Sequence, residues 1–137
     1  MSDLQIAAGP FTFTARLERE ASPRTVEAFE TMLPLRSKLI HVRWSGEATW
    51  IPLGELKLPI PWEDPTCYPA PGQVLLYPGG VSETEILLPY GHCAFKSKAG
   101  YLPANPLMTI VEGRSQLREL GVKVLWGGAL DIAITRL

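Results

Sequence analysis

Apolar residues in this chain come in short runs, and a glycine, a proline or a charge closes nearly every one. Runs of that length suit strands, whereas a helix needs about ten residues to present an apolar face. Phe11, Phe13, Ala15 and Leu17 alternate with Thr12, Thr14 and Arg16, the period-two pattern of a strand with one buried face. Gly9-Pro10 ahead of it predicts a turn from a short first strand at Leu4 to Ala7. Leu39 to Trp44 and Ala48 to Ile51 read as a hairpin turning at Ser45-Gly46. Val74 to Tyr77 and Glu85 to Leu88 read as two apolar strands flanking Pro78-Gly79-Gly80, with Tyr90-Gly91 closing that hairpin. Ala94 to Lys96 begins a further strand, and Leu107 to Val111 follows the Gly100 turn.

Helical signals are fewer. In Ser22-Pro23-Arg24-Thr25-Val26-Glu27-Ala28-Phe29, Ser22 offers a hydroxyl to the exposed helix N–H groups. Pro23 suits the first helical position because its missing N–H has no partner there. Val26, Phe29 and Leu33 share one face at i, i+3 and i+7, and Pro34 stops the helix. Arg114 to Leu120 predicts a second short helix with Gly121 just past its end, where a positive φ is needed. Val122 to Trp126 and Leu130 to Leu137 then read as final strands hinged at Gly127-Gly128. Between Pro52 and Pro71, six prolines (52, 59, 61, 65, 69 and 71) argue for a long ordered loop with at most a short strand at Glu55 to Leu58. Many short strands, two short α-helices and no strand–helix alternation predict a mainly β fold, a closed antiparallel barrel.

At 137 residues the chain makes a single domain, 1–137. Its 46% hydrophobic residues exclude a disordered chain. A net charge of −1 without any basic run excludes a nucleic-acid surface. No apolar run approaches a membrane span, and the N-terminus lacks the basic and apolar regions of a signal peptide. Cys67 and Cys93 are too few for a disulfide framework, so a reduced, cytoplasmic setting is expected.

The chain resembles a cyclophilin. Pro23 to Phe29 is similar to the proline-lysine-threonine-x-glutamate-asparagine-phenylalanine start of the first cyclophilin helix. Pro71-Gly72-Gln73-Val74-Leu75 is similar to that family's glycine-proline-glycine strand start. Leu107 to Gly113 lies where cyclophilins turn from a strand into their second helix. A closer resemblance, running nearly end to end, is to a bacterial family of small cyclophilin-like proteins of unknown function. Arg43 to Ala48, Tyr77 to Gly80, Ser82 to Ile86, Tyr90-Gly91 and Val124 to Gly127 carry it. The resemblance implies a cyclophilin-like barrel. It also implies what is missing: prolyl isomerases of that family use an arginine, a neighbouring glutamine and an aromatic pocket. Arg43 can stand for the arginine, although aligning His41 with the family histidine puts Val42 there. Glu47-Ala48-Thr49-Trp50 replaces the phenylalanine-methionine-x-glutamine stretch, and Ser82 to Leu87 replaces the phenylalanine-rich strand. Isomerase activity is therefore not expected. Cyclophilin-like domains also occur in bacterial enzymes that hydrolyse urea-type or cyclic amides, an analogy that identifies no catalytic residue here.

Several side chains carry candidate chemistry. Arg43 and Glu47 flank a predicted turn, where they form either a clamp for a small polar ligand or a plain rim salt bridge. Glu83 and Glu85 share a strand face, either to perturb each other's ionisation or as a solvated outer face. Glu85 is the odder, placed just before Ile86-Leu87-Leu88. His92 and Cys93 point to opposite faces as strand neighbours, which opposes a dyad within the dipeptide and leaves His41 as the alternative base. Neither C-x-x-C nor H-x-x-x-H spacing occurs, so no metal is expected, nor any cofactor. Gly79-Gly80 lacks the residues of a phosphate loop. Trp44, Trp50, Trp62, Tyr77 and Tyr90 either wall a pocket or pack in the core. Trp62, in Pro61-Trp62-Glu63, either covers the barrel mouth or anchors a partner subunit. The hairpin turns predict that Arg43, Glu47, Tyr77 and Glu85 converge at one barrel rim, with Tyr90, His92 and Trp62 as further ligand-binding candidates. The expected function is binding or transforming a small polar molecule there. The alternatives are a non-catalytic module that assembles as a homo-oligomer, and residual prolyl isomerase activity.

Overall fold

In the computed structural model, which describes residues 2–137, the short apolar runs become ten strands among the described residues. They are β1 (Leu4–Ala8), β2 (Phe11–Leu17), β3 (Leu35–His41), β4 (Gly46–Gly54), β5 (Gln73–Tyr77), β6 (Thr84–Cys93), β7 (Lys96–Ser97), β8 (Gly100–Tyr101), β9 (Asn105–Glu112) and β10 (Leu130–Arg136). Helix α1 (Pro23–Glu30) lies between β2 and β3. A 3₁₀ turn at Arg114–Gln116 leads into α2 (Leu117–Gly127) between β9 and β10. Eight strands close a barrel in the order β1-β10-β3-β4-β6-β5-β9-β2, while β7 and β8 form a separate hairpin. Every neighbouring pair in the barrel is antiparallel, as the sequence predicts.

Alternation fills the barrel. Phe11, Phe13, Ala15 and Leu17 of β2 point inward with Leu4, Ile6, Leu39, Ile51, Leu76, Ile86, Leu88 and Ile134. The helices add Val26 and Phe29 from α1, and Leu117, Leu120 and Val124 from α2. Strand register places them at opposite ends. Leu17, which leads to α1, pairs with Met108, whereas Glu112, which leads to α2, pairs with Thr14. Side chains therefore occupy the barrel interior, and a helix covers each end, so the mouth is not an open bowl.

Strands β5 and β6 are apolar on both faces. Leu75, Tyr77 and Leu87 point outward with Ala48 of β4, and the chain from Cys93 to Ala104 folds back over them with Phe95 and Leu102. The proline loop adds an outer layer: Thr66 and Ala104 exchange backbone hydrogen bonds (2.9 and 3.0 Å), and the Phe95 N–H donates to Cys67 O at 2.7 Å.

Four expectations are corrected. Val122 to Trp126 is helix rather than strand, because Leu117, Leu120, Gly121 and Val124 recur at helical spacing and all four are buried. Gly121 sits inside α2, not past its end. A Cβ there would lie 2.4 Å from carbons of the Tyr90 ring, so glycine is required for the helix to seat on the barrel. Glu55 to Leu58 forms no strand, and β4 instead runs through Pro52 to Gly54. Finally, Ser22 makes no side-chain cap; its hydroxyl donates to Glu63 O at 3.3 Å.

Glu63 takes over the cap from the proline loop. Its carboxylate accepts from the N–H groups of Arg24 (3.2 Å) and Thr25 (2.8 Å) and from the Thr25 hydroxyl (2.7 Å). Buried Asn105 completes the joint, accepting from the Glu63 N–H (2.9 Å) and donating to Thr25 Oγ1 (3.0 Å) and Pro61 O (2.9 Å). A carboxylate at a helix N-terminus satisfies orphan donors and suits the helix dipole. Glu63→Ala should therefore cost about 1–2 kcal/mol, read as a lower urea midpoint; an unchanged midpoint would remove Glu63 from this role.

Candidate functional site

A concavity that joins aromatic and charged side chains lies on the outer wall of the barrel, not at its rim. Ile40 and Trp50 face outward beside each other across β3 and β4. Two covers rise around them: the loop between β5 and β6, and the β7–β8 hairpin. They leave a cavity of about 470 Å³ lined by Trp50, Val42, Arg43, Trp44, Glu83, Glu85, Lys96 and Lys98, among others. Ser45 clamps the hairpin in place. Its hydroxyl donates to Lys96 O (3.1 Å) and accepts from the Lys96 N–H (3.0 Å).

Of the sequence candidates, Arg43 and Glu85 line this cavity together. Tyr77 does not line it but builds its wall. Its hydroxyl accepts from the N–H groups of Val81 (3.0 Å) and Ser82 (3.3 Å), folding the glycine turn down over the strand ends. Gly79 and Gly80 permit that fold with φ of 92° and 120°. Phe95 packs edge-on against the Tyr77 ring at 6.1 Å.

Glu85 is the unusual group. It points outward from β6, paired with Tyr77 and Pro52, yet only 7% of it is exposed. Burial, with a smaller push from the Glu83 charge, raises its pKa to about 8. Its carboxylate is in no ion pair among the described residues. The Lys96 ammonium lies 4.7 Å from the centre of the exposed Tyr101 ring.

Glu47 lies elsewhere, with α2 rather than with Arg43. Its carboxylate accepts from both terminal nitrogens of Arg118 (2.5 and 3.1 Å) and from the His92 N–H (2.9 Å). Those bonds, Arg118 foremost, hold its pKa down at about 2. Arg118 also lies over the Tyr90 ring at 5.2 Å. Tyr90 is buried beneath α2. His41 Nδ1 donates to Val42 O, and His41 Nε2 is hydrogen-bonded to the Tyr90 hydroxyl, both at 2.8 Å. His92 is exposed and contributes only its backbone N–H, and exposed Trp62 sits in the proline loop beside the Glu63 cap, lining no part of the cavity.

A Cys93 nucleophile finds no support. The thiol is buried under Phe95 and Leu102, and burial pushes its pKa up to about 11, leaving it protonated. No group of three or more His, Cys, Asp or Glu side chains is placed to hold a metal ion among the described residues. Among the described residues no helix is long and apolar enough to cross a membrane. The outward face of α2 exposes Val122, Leu125 and Trp126.

Residues 4–136 match the family described as proteins of unknown function, DUF3830, and the chain belongs to that family. No curated protein matches it in sequence. Among solved structures it is similar to McbB, determined in complex with tryptophan, with a TM-score of 0.74 and 22% identity. That match covers 97% of this chain and 44% of McbB, so this chain spans less than half of McbB's length. It is also similar to the hypothetical protein AF2241 from Archaeoglobus fulgidus, solved in solution, with a TM-score of 0.64 and 17% identity over 99% and 95% of the two chains. At these identities the likeness is one of fold.

The state of Glu85 makes stability depend on pH. Folded, it keeps its proton up to about pH 8; unfolded, it ionises near the ordinary 4.5. Between those values the unfolded chain releases a proton that the folded chain retains, so this residue's contribution falls as pH rises and levels off above 8. Glu85→Gln should therefore be more stable than the wild type above pH 8, by on the order of a few kcal/mol, with no gain below pH 4.5. Urea unfolding of both proteins across this range checks it; a gap that is constant with pH would contradict it.

Proposed function

We propose that the protein binds a small polar molecule in the outer-wall cavity, where Arg43 orients an anionic group and Trp50 supplies a flat apolar contact. The observation that carries this reading is that Arg43 and Glu85, from different hairpins, open on one cavity floored by tryptophan. Arginine presents a planar fork of donors suited to a carboxylate or phosphate. A concave apolar wall with a few convergent polar groups is the usual form of a small-molecule site. The fold of McbB, which holds tryptophan, supports a small-molecule role for this barrel type. A carboxyl that keeps its proton near neutral pH extends the reading from binding to proton transfer onto the ligand.

A thermal-shift screen over metabolites, run on the wild type, Arg43→Ala and Trp50→Ala, tests it. The expected result is a ligand that raises the wild-type melting temperature by several degrees and is lost in both variants, with folded circular-dichroism spectra retained. A shift that survives both substitutions would place the ligand elsewhere.

Prolyl isomerisation is not part of this function. In the stretch that stands in place of phenylalanine-methionine-x-glutamine, Glu47 is engaged with Arg118, and Ala48 is buried in the outer apolar layer. A proline-peptide assay should show the uncatalysed rate, and cyclophilin-level acceleration abolished by Arg43→Ala would contradict this.

A further inference from the structure

The cavity is polarised along the barrel wall. Glu85, with Glu83 and Ser82 close by in sequence, stands where β6 begins, and Arg43 stands where β3 has just ended. Lys96 belongs to the Arg43 end, since its backbone is bonded on both sides to Ser45 Oγ. Register sets the spacing of the two ends. The Val42 N–H donates to Ala48 O, whereas Glu85 pairs with Pro52, four residues further along β4 (52 − 48). At the rise of a strand these levels lie about 13 Å apart. Trp50, midway between them, faces the same cavity.

Glu85 is more than nine-tenths buried, lines the cavity and is bonded to no cation among the described residues. A buried carboxyl in that position lacks a counter-charge of its own, and a cation brought in from outside would supply one. The charges lining the same cavity are Glu83 from its own loop, Arg43 at the end of β3 and Lys96 and Lys98 from the hairpin, with the Lys96 ammonium over the Tyr101 ring; Tyr77 from β5 and His41 from β3 are the neighbouring titratable rings. We propose that the cavity selects a bipolar ligand, in which a primary ammonium group docks on Glu85, a carboxylate docks on Arg43, and a slim apolar spacer lies across Trp50. This rests on the cavity reading above and names its ligand class. With the two backbone levels about 13 Å apart, the proposed ligand carries several methylene groups between its charges, more than the single carbon of an α-amino acid. On docking, Glu85 gives its proton to solvent and its carboxylate accepts from the ligand N–H.

The test is a titration of the full chain at pH 8 with 6-aminohexanoate, hexanoate and hexylamine, followed by tryptophan fluorescence and calorimetry. The expected result is at least tenfold tighter binding of 6-aminohexanoate than of either single-charge analogue. In Glu85→Gln its affinity should fall to that of hexanoate. Either analogue matching 6-aminohexanoate, or a Glu85→Gln protein that keeps the tenfold preference, would overturn the bipolar assignment and leave the cavity reading standing. No binding of any of the three, with a ligand found in the metabolite screen, would also overturn the bipolar assignment alone. No binding in either experiment would overturn the cavity reading with it.

Discussion

Strands β5 and β6 cannot be left with one face in water. Leu76, Ile86 and Leu88 face the barrel interior while Leu75, Tyr77 and Leu87 face out. Burying a large apolar side chain is worth roughly 1.5–3 kcal/mol, so an uncovered outer row would be a substantial loss. The chain meets this by folding Cys93 to Ala104 back across the wall and laying the proline loop over that cover. The cover rises over β4 to β6 and leaves the neighbouring β3 side less filled, and the cavity occupies that margin. With the interior packed and a helix on each end, the outer wall is where this barrel has room for a ligand.

Two carboxylates show how environment divides one side-chain type into two roles. Glu47 is satisfied by a guanidinium and a backbone N–H and stays charged far into acid. Its work is to tie α2 to β4 above the Tyr90–Gly121 contact. Glu85 is mostly withdrawn from water, is in no ion pair among the described residues, and holds its proton past neutrality. Stability argues for the first arrangement and against the second, and a side chain that weakens the fold while facing a cavity is the usual mark of a site.

The proline loop is a structural brace, and its Leu58 and Ile60 pack against the barrel core. Glu63 and Asn105 bind it to the start of α1, and Thr66 and Cys67 bind it to the outer layer. Trp62 is exposed because its neighbours on both sides are held by these joints: the Pro61 carbonyl accepts from Asn105, and Glu63 caps the helix.

The sequence by itself determined the barrel, because period-two alternation in residues 11–17 and the glycine and proline turns act locally and leave the chain few other options. It also determined that Arg43, Tyr77 and Glu85 stand at strand ends. It misread the end of α2, since Gly121 resembles a terminator until Tyr90, distant in sequence, is placed against it. It matched Glu47 with Arg43 across a turn, whereas the fold offers Glu47 a bidentate partner from α2. Only the tertiary structure decided that the cavity shared by Arg43 and Glu85 is on the outer wall, that Lys96 lines it, and that Glu85 is buried. Each of these depends on segments far apart in sequence folding over one another, and burial, unlike periodicity, leaves no local trace in the order of residues.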